Sequence, residues 1–370
     1  MNTLEEVENE KEKTELELAQ EKAEKIAIQT NIKIEELGEK TGLLSDNLNE
    51  LQSVFDDIRG IPSNQKLEIE KFKKIRINWA QQVKKIATDY KTAETKAVGS
   101  GVAGAGAGVA VVAIGPSVAM GLATTFGVAS TGTAISALSG AAATNASLAW
   151  LGGGALAVGG GGMGAGATFL ALAGPVGWSI AGVALLSSGL LVFKSRSEKK
   201  RLEDIFISIS HRDEKSYKLA LVEIKERIGK IIDETKLLSE AITASRSYGI
   251  DYDTMSEQQQ YSLITFVNLM NSSTQLLVNP ILGLQQKYTE EDFNDFIEKT
   301  NTLDRSLKSI YVYLANLLYK IKLDDTDKKL LYKSFRKNKG FLNTMGCSKQ
   351  KFDLSVIDTV ESALKTKYKS

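Results

Sequence analysis

The chain has 370 residues, 43% of them hydrophobic and 25% charged, with 46 basic against 45 acidic side chains and a formal net charge of +1. A balance this close to neutral gives no electrostatic argument for nucleic-acid binding, which needs a basic patch to release counterions from phosphate. One cysteine, Cys347, precludes an intrachain disulfide, and one histidine, His211, leaves neither a histidine-rich metal site nor a choice of catalytic triads.

The opening residues Met1-Asn2-Thr3-Leu4-Glu5-Glu6 are acidic and lack a basic stretch followed by an apolar core, so no secretory signal is expected. The product is expected to start in the cytoplasm and to be membrane-associated, with any release by an unconventional or lytic route. Residues 1–96 read as an N-terminal helical hairpin of coiled-coil type. Leu44, Leu48, Leu51, Phe55 and Ile58 advance by alternating steps of four and three, which aligns one apolar stripe on a helix. Gly60-Ile61-Pro62-Ser63-Asn64 then stops the helix, because proline removes a donor and glycine and asparagine favour turns. A second stripe follows through Ile69, Phe72, Arg76, Trp79, Val83, Ile86 and Tyr90. These two helices are expected to pair with each other, antiparallel.

Residues 97–193 contain no Asp, Glu, Lys, Arg, His, Tyr or Cys, and 23 of the 31 glycines fall between Gly99 and Gly189. A bilayer is crossed by ~20 apolar residues, so this run is several times longer than one span and far longer than an ordinary buried helix. Gly101 to Leu122 is rich in Gly, Ala and Val, with Pro116 inside it, and Phe126 to Ala149 is more polar. Trp150 to Leu172 and Val176 to Phe193 each have the length of a span, and Ala173-Gly174-Pro175 makes a tight turn between them. The side chains expected to enter lipid are Trp150, Leu151, Leu156, Phe169, Leu170, Leu172, Pro175, Trp178, Ile180, Leu185, Leu186, Leu190, Leu191 and Phe193, with the Trp178 indole suited to the interface. Glycines four apart, Gly104 with Gly108, Gly160 with Gly164 and Gly162 with Gly166, form flat faces for close helix packing.

Lys91 and Lys96 precede the block, while Lys194, Arg196, Lys199, Lys200 and Arg201 follow it, which keeps both ends on one side of a membrane and asks for an even number of spans. The second basic cluster suits anionic headgroups at ~1 kcal/mol per basic residue near the surface. A solvated helix start explains it equally well. Residues 194–324 read as long C-terminal helices. One stripe runs through Leu221, Ile224, Ile228, Ile231, Thr235, Leu238 and Ile242, with a break near Ser247-Tyr248-Gly249. A weaker stretch over 255–278 ends at Asn279-Pro280, and a strong stripe follows through Phe293, Phe296, Thr300, Leu303, Leu307, Ile310, Leu314, Leu317 and Ile321. Residues 325–370 complete the chain as a tail of short helices around a loop at Asn343 to Ser348. The predicted class is all-α, an elongated helical bundle or coiled coil with a central membrane-inserting region.

Motifs for chemistry fail on context. Gly99-Ser100-Gly101-Val102-Ala103-Gly104 spells GxGxxG, yet it follows a charged helix instead of a strand, with no acidic residue some 20 positions on. Gly229-Lys230 lacks the rest of a phosphate-binding loop. Cys347 reads as a semi-buried structural thiol and His211 as a surface residue. No catalytic, cofactor-binding or metal-binding residue is expected, and the chain does not read as an enzyme. Thr144 and Asn145, inside the apolar block, suit a pore lining, a helix bridge or a loop between spans.

Two resemblances rest on these residues. Thr131-Gly132-Thr133-Ala134-Ile135-Ser136-Ala137-Leu138-Ser139-Gly140-Ala141-Ala142-Ala143-Thr144-Asn145, with Leu148 to Gly154 and Gly159 to Gly166, resembles a glycine-rich hydrophobic cassette of uncharacterised bacterial membrane-active proteins, over about residues 131–182. The wider layout, with long helices on either side of a hydrophobic insert, is similar to the ClyA-type α-pore-forming toxins, although the insert here is longer than a simple head hairpin. The resemblance implies a bacterial membrane-inserting, oligomeric pore former, acting as a toxin or as a phage-defence effector. Its expected partners are a lipid bilayer and either further copies of the chain or related helical proteins, and not nucleic acid. The alternative is a membrane-anchored coiled-coil scaffold or sensor without pore activity.

Overall fold

The computed structural model describes residues 13–99, 195–279, 281–284, 287–288, 290–300, 307–337, 342 and 347–368. Among the described residues the fold is all-α, with eight helices and a single isolated β-bridge, Arg59 to Asp251.

Helix α1 (Glu15–Asp57) opens on a capping box. The Thr14 hydroxyl accepts from the Glu17 amide at 3.2 Å, and the Glu17 carboxylate accepts from the Thr14 amide at 2.8 Å, so two otherwise orphaned donors are satisfied. It ends where the sequence predicts. Gly60 sits at φ 78°, a left-handed conformation, and a Cβ there would meet Asp253 Oδ2 at 3.2 Å. Helix α2 (Ser63–Gly99) follows. Beyond the block, Ser195 caps α3 (Arg196–Ser247), and a turn through Gly249 leads to α4 (Glu257–Val278), which begins with a second capping box of Ser256 and Gln259.

The α1 stripe is buried as its spacing requires, with Leu44, Leu48 and Leu51 fully buried and Phe55 and Ile58 nearly so. Its partner is not α2. The expected antiparallel hairpin closes near its turn, where Lys73 Nζ donates to Asp56 at 2.7 Å and Arg76 reaches Gln52. Along most of its length, however, α1 lies against α3. Asn47 Nδ2 donates to the Thr235 carbonyl at 3.0 Å, Arg246 pairs with Glu50 at 2.8 Å, and the Arg59 amide donates to the Ile250 carbonyl at 2.8 Å. These contacts climb both helices in the same direction, so α1 and α3 are parallel and pack in coiled-coil manner. Leu44, Leu48 and Leu51 of α1 and Ile231, Leu238 and Ala241 of α3 are buried in one shared core. Helix α2 packs on α4 instead, and α4 runs antiparallel to α3, since Ser272 meets Glu234 while the later Asn279 meets the earlier Arg227.

The two hairpins are two copies of one design. Buried positions recur with a constant offset of 194, so that Ala19, Ala23, Leu37, Leu44 and Leu48 have buried counterparts in Asp213, Tyr217, Ile231, Leu238 and Ile242. In the returning helices Ile69, Arg76 and Trp79 match the buried Leu263, Met270 and Ser273. Thr41, Leu43, Leu44 and Ser45 recur letter for letter as Thr235, Leu237, Leu238 and Ser239.

Helices α5 (Glu290–Thr300), α6 (Lys308–Leu318), α7 (Asp325–Lys337) and α8 (Leu354–Lys367) form a second cluster. Its core takes in Leu202, Ile205, Phe206 and Ile209 from the first turns of α3, together with Leu16 of α1. The strong stripe predicted over 293–321 is divided between α5 and α6, with Phe293, Phe296, Leu307, Ile310, Leu314 and Leu317 buried and Leu303 outside the described residues. Cys347 is buried in this core. Where the chain returns from α4 to this cluster, Gly283 presses on α3. A Cβ at Gly283 would lie 2.6 Å from the Ala220 Cα, so this contact requires glycine.

Candidate functional site

The site residues expected in and beside the charge-free block lie outside the described residues up to Lys194. These are the side chains from Trp150 to Phe193 expected in lipid, the packing glycines Gly104, Gly108, Gly160, Gly162, Gly164 and Gly166, the pair Thr144 and Asn145, and Lys194. The structure does place the block's two attachment points. Helix α2 leaves its turn for 37 residues and α3 runs 52 residues to its own turn, about 55 and 78 Å at 1.5 Å per residue. The two turns are joined by the Arg59 to Asp251 bridge. Gly99 and Ser195 therefore both lie towards the pole away from those turns.

The basic cluster at that pole divides by partner. Arg201 is committed to the protein: its Nε donates to Asp327 at 2.9 Å and its Nη2 to Asp324, which ties α3 to the start of α7 and holds the guanidinium charged. Lys199 approaches Glu203 at 3.6 Å, one turn along the same helix. Arg196 and Lys200 are exposed and carry no ion pair among the described residues. Of the four described cations expected to meet headgroups, these two are presented to solvent without a competing carboxylate.

Deeper in the bundle lie two buried charged groups, one inside a predicted stripe and one, Asp213, outside the predicted stripes. Arg76 is buried in the α2 stripe, where Nη2 donates to Gln52 Oε1 at 2.5 Å and Nη1 to Thr274 Oγ1 at 3.2 Å. Gln52 Nε2 in turn donates to Asp56 at 2.8 Å, so one chain of bonds joins α1, α2 and α4. Burial pushes the guanidinium down to about 10, with Asp56 pulling the other way, and its Nε has no partner among the described residues. The signal was present in the sequence: a charge in the apolar register, four after Phe72 and three before Trp79.

Asp213 is fully buried in α3. Its Oδ1 accepts from Arg212 Nε at 2.8 Å, while Oδ2 has no partner among the described residues. Burial pushes its carboxyl up to about 7, against the pull of the Arg212 charge and hydrogen bond. Arg212 also closes the end of α6, donating Nη1 to the carbonyls of Leu317 at 2.8 Å and Tyr319 at 2.6 Å.

This arrangement holds and orients helices. Among the described residues no three His, Cys, Asp or Glu side chains converge to hold a metal ion, and no helix is long and apolar enough to cross a membrane. Compared with protein-family models, with curated proteins and with solved structures, the chain finds no match, so the reading of its function rests on its own residues.

Proposed function

We propose that the chain is a membrane-inserting protein in which an elongated helical bundle delivers residues 97–193 to a bilayer and, through oligomerisation, permeabilises it. The observation that carries this reading is the 97-residue run without a charged side chain, set between densely charged helices. Apolar burial at ~25 cal/mol per Å² favours lipid over water for a run of that length. The position of Gly99 and Ser195 towards one pole supports it, since an even number of spans needs both ends on the same side. The exposed Arg196 and Lys200 at that pole supply charge for anionic headgroups. The described helices bury two hydrophobic cores.

Dye release from liposomes tests the proposal. Full-length protein is expected to release an encapsulated dye, and deletion of residues 150–193 is expected to abolish release. A full-length protein that leaves liposomes intact overturns it. Firm membrane association without conductance transfers the chain to the anchored-scaffold reading.

A further inference from the structure

We propose that the waist of the molecule, where α3, the segment before α5, the turn after α6 and the end of α8 meet, binds a phosphate-bearing anion through Lys287 and Lys320.

Four cations converge there from four separate segments. Two are answered within the protein: Lys367 Nζ donates to Asp292 at 2.5 Å, and Arg212 pairs with Asp213 at 2.8 Å and donates to the carbonyls that end α6. The other two are not. Lys287 is half-buried, Lys320 is exposed, and neither ammonium has a hydrogen bond or ion pair among the described residues. The nearby acids are already engaged, since Asp292 holds Lys367 and the Glu223 carboxylate accepts from the amides of Leu282 at 2.9 Å and Gly283 at 3.1 Å. A half-buried charge of this kind, unanswered among the described residues, is stabilised by the counter-charge of a bound anion.

The frame around the two lysines is fixed. The amides of Lys287 and Tyr288 both donate to Asn316 Oδ1, at 2.9 and 3.0 Å, and Asn316 Nδ2 returns a bond to the Tyr288 carbonyl at 2.6 Å. The Tyr368 hydroxyl donates to the Lys287 carbonyl. Lys320 stands at φ 59°, the one left-handed residue other than glycine among the described residues, and the Arg212 bond to the preceding carbonyl holds it in that turn. Tyrosine rings line the cluster. Tyr319 and Tyr368 lie 4.8 Å apart, the Lys320 ammonium is 5.3 Å from the Tyr319 centroid, and that of Lys367 is 5.5 Å from Tyr368. The rings offset part of the positive field and leave the rest unbalanced. Burial lowers the Lys287 ammonium, and Lys320, Arg212 and Lys367 lower it further, with Glu223 as the opposing charge. A compact oxyanion carrying up to two negative charges fits this setting, because its several oxygens accept from more than one ammonium at once. The same chemistry is offered by a free phosphate and by the headgroup of an anionic phospholipid.

Titration calorimetry with inorganic phosphate, and flotation with phosphatidylcholine vesicles with and without phosphatidic acid, separate the two sources using the full-length protein. The double variant Lys287→Gln with Lys320→Gln is compared with Lys225→Gln on the exposed face of α3. Saturable phosphate binding that falls at least tenfold only in the double variant supports a free anion. Flotation that needs phosphatidic acid, without phosphate binding, and that the double variant loses, supports a headgroup. Lys320→Gly, which suits the backbone there, is expected to weaken binding in the same direction, and phosphate is expected to raise the melting temperature of the wild type but not of the double variant. Wild-type protein that binds neither probe, or a double variant that binds as the wild type does, overturns the proposal. The phosphate arm contains no bilayer, so its outcome is separate from that of the dye-release experiment.

Discussion

The first hairpin and the second bury many equivalent positions but place their polar intruders differently. Arg76 of the first is answered by Met270 in the second, and Asp213 of the second by Ala19 in the first. Two copies of one helical design lie side by side, and among the described residues each carries one buried Lys, Arg, Asp or Glu where its counterpart carries an apolar residue. An otherwise repeated seam thereby acquires a direction and a register, the role best attested for polar residues in coiled-coil cores.

The comparison breaks hardest at its shared centre. Leu44→Ala and Leu238→Ala remove equivalent, fully buried side chains, and each is expected to cost about 2–5 kcal/mol in urea unfolding. Costs that differ by more than about 2 kcal/mol show that the two halves do not share the seam equally.

Next in size is a pH effect confined to the second hairpin. The folded carboxyl of Asp213 titrates at about 7 against 3.8 for the ordinary group, so the folded state holds a proton that the unfolded chain has already lost. Stability from this group is therefore present at low pH and declines as pH rises through about 4 to about 7, by roughly 4 kcal/mol in all. Unfolding measured at pH 5 and pH 8 is expected to show that decline in the wild type and a much smaller one in Asp213→Asn. An unchanged pH profile in the variant refutes the assignment.

The smallest effect comes from erasing the intruder of the first hairpin. Arg76→Met copies Met270 and removes a charge held in a buried place, so a gain of about 1 kcal/mol in unfolding free energy is expected, at unchanged denaturant slope. A loss of more than about 2 kcal/mol shows instead that the Gln52 and Thr274 bonds outweigh the desolvation of the guanidinium.

Local features of the fold were legible in the sequence. The steps of three and four through Leu44 to Ile58 identify residues that are buried, and Gly60-Ile61-Pro62 and Ser247-Tyr248-Gly249 mark both turns. Partner choice was not legible. Adjacency in the chain favours a hairpin, but the seam of α1 is satisfied by a helix whose matching residues lie 194 positions on, and apolar spacing does not identify which equally spaced helix will cover it. The division of the 293–321 stripe into α5 and α6 was equally hidden, since its spacing continues across the junction. At the candidate site, the basic run after Phe193 was visible as a run. That Arg201 turns inward to Asp324 and Asp327 depends on a helix more than a hundred residues away.

The bridge between Arg59 and Asp251 has a mechanical meaning. Traction from the glycine-rich segment would enter the frame through α2 and α3 at one pole and would reach α1 only through the turn at Gly60, so the bridged turns at the other pole would carry load. The bridge would share that load between the two turns, and α1 and α3 would be drawn in the same direction.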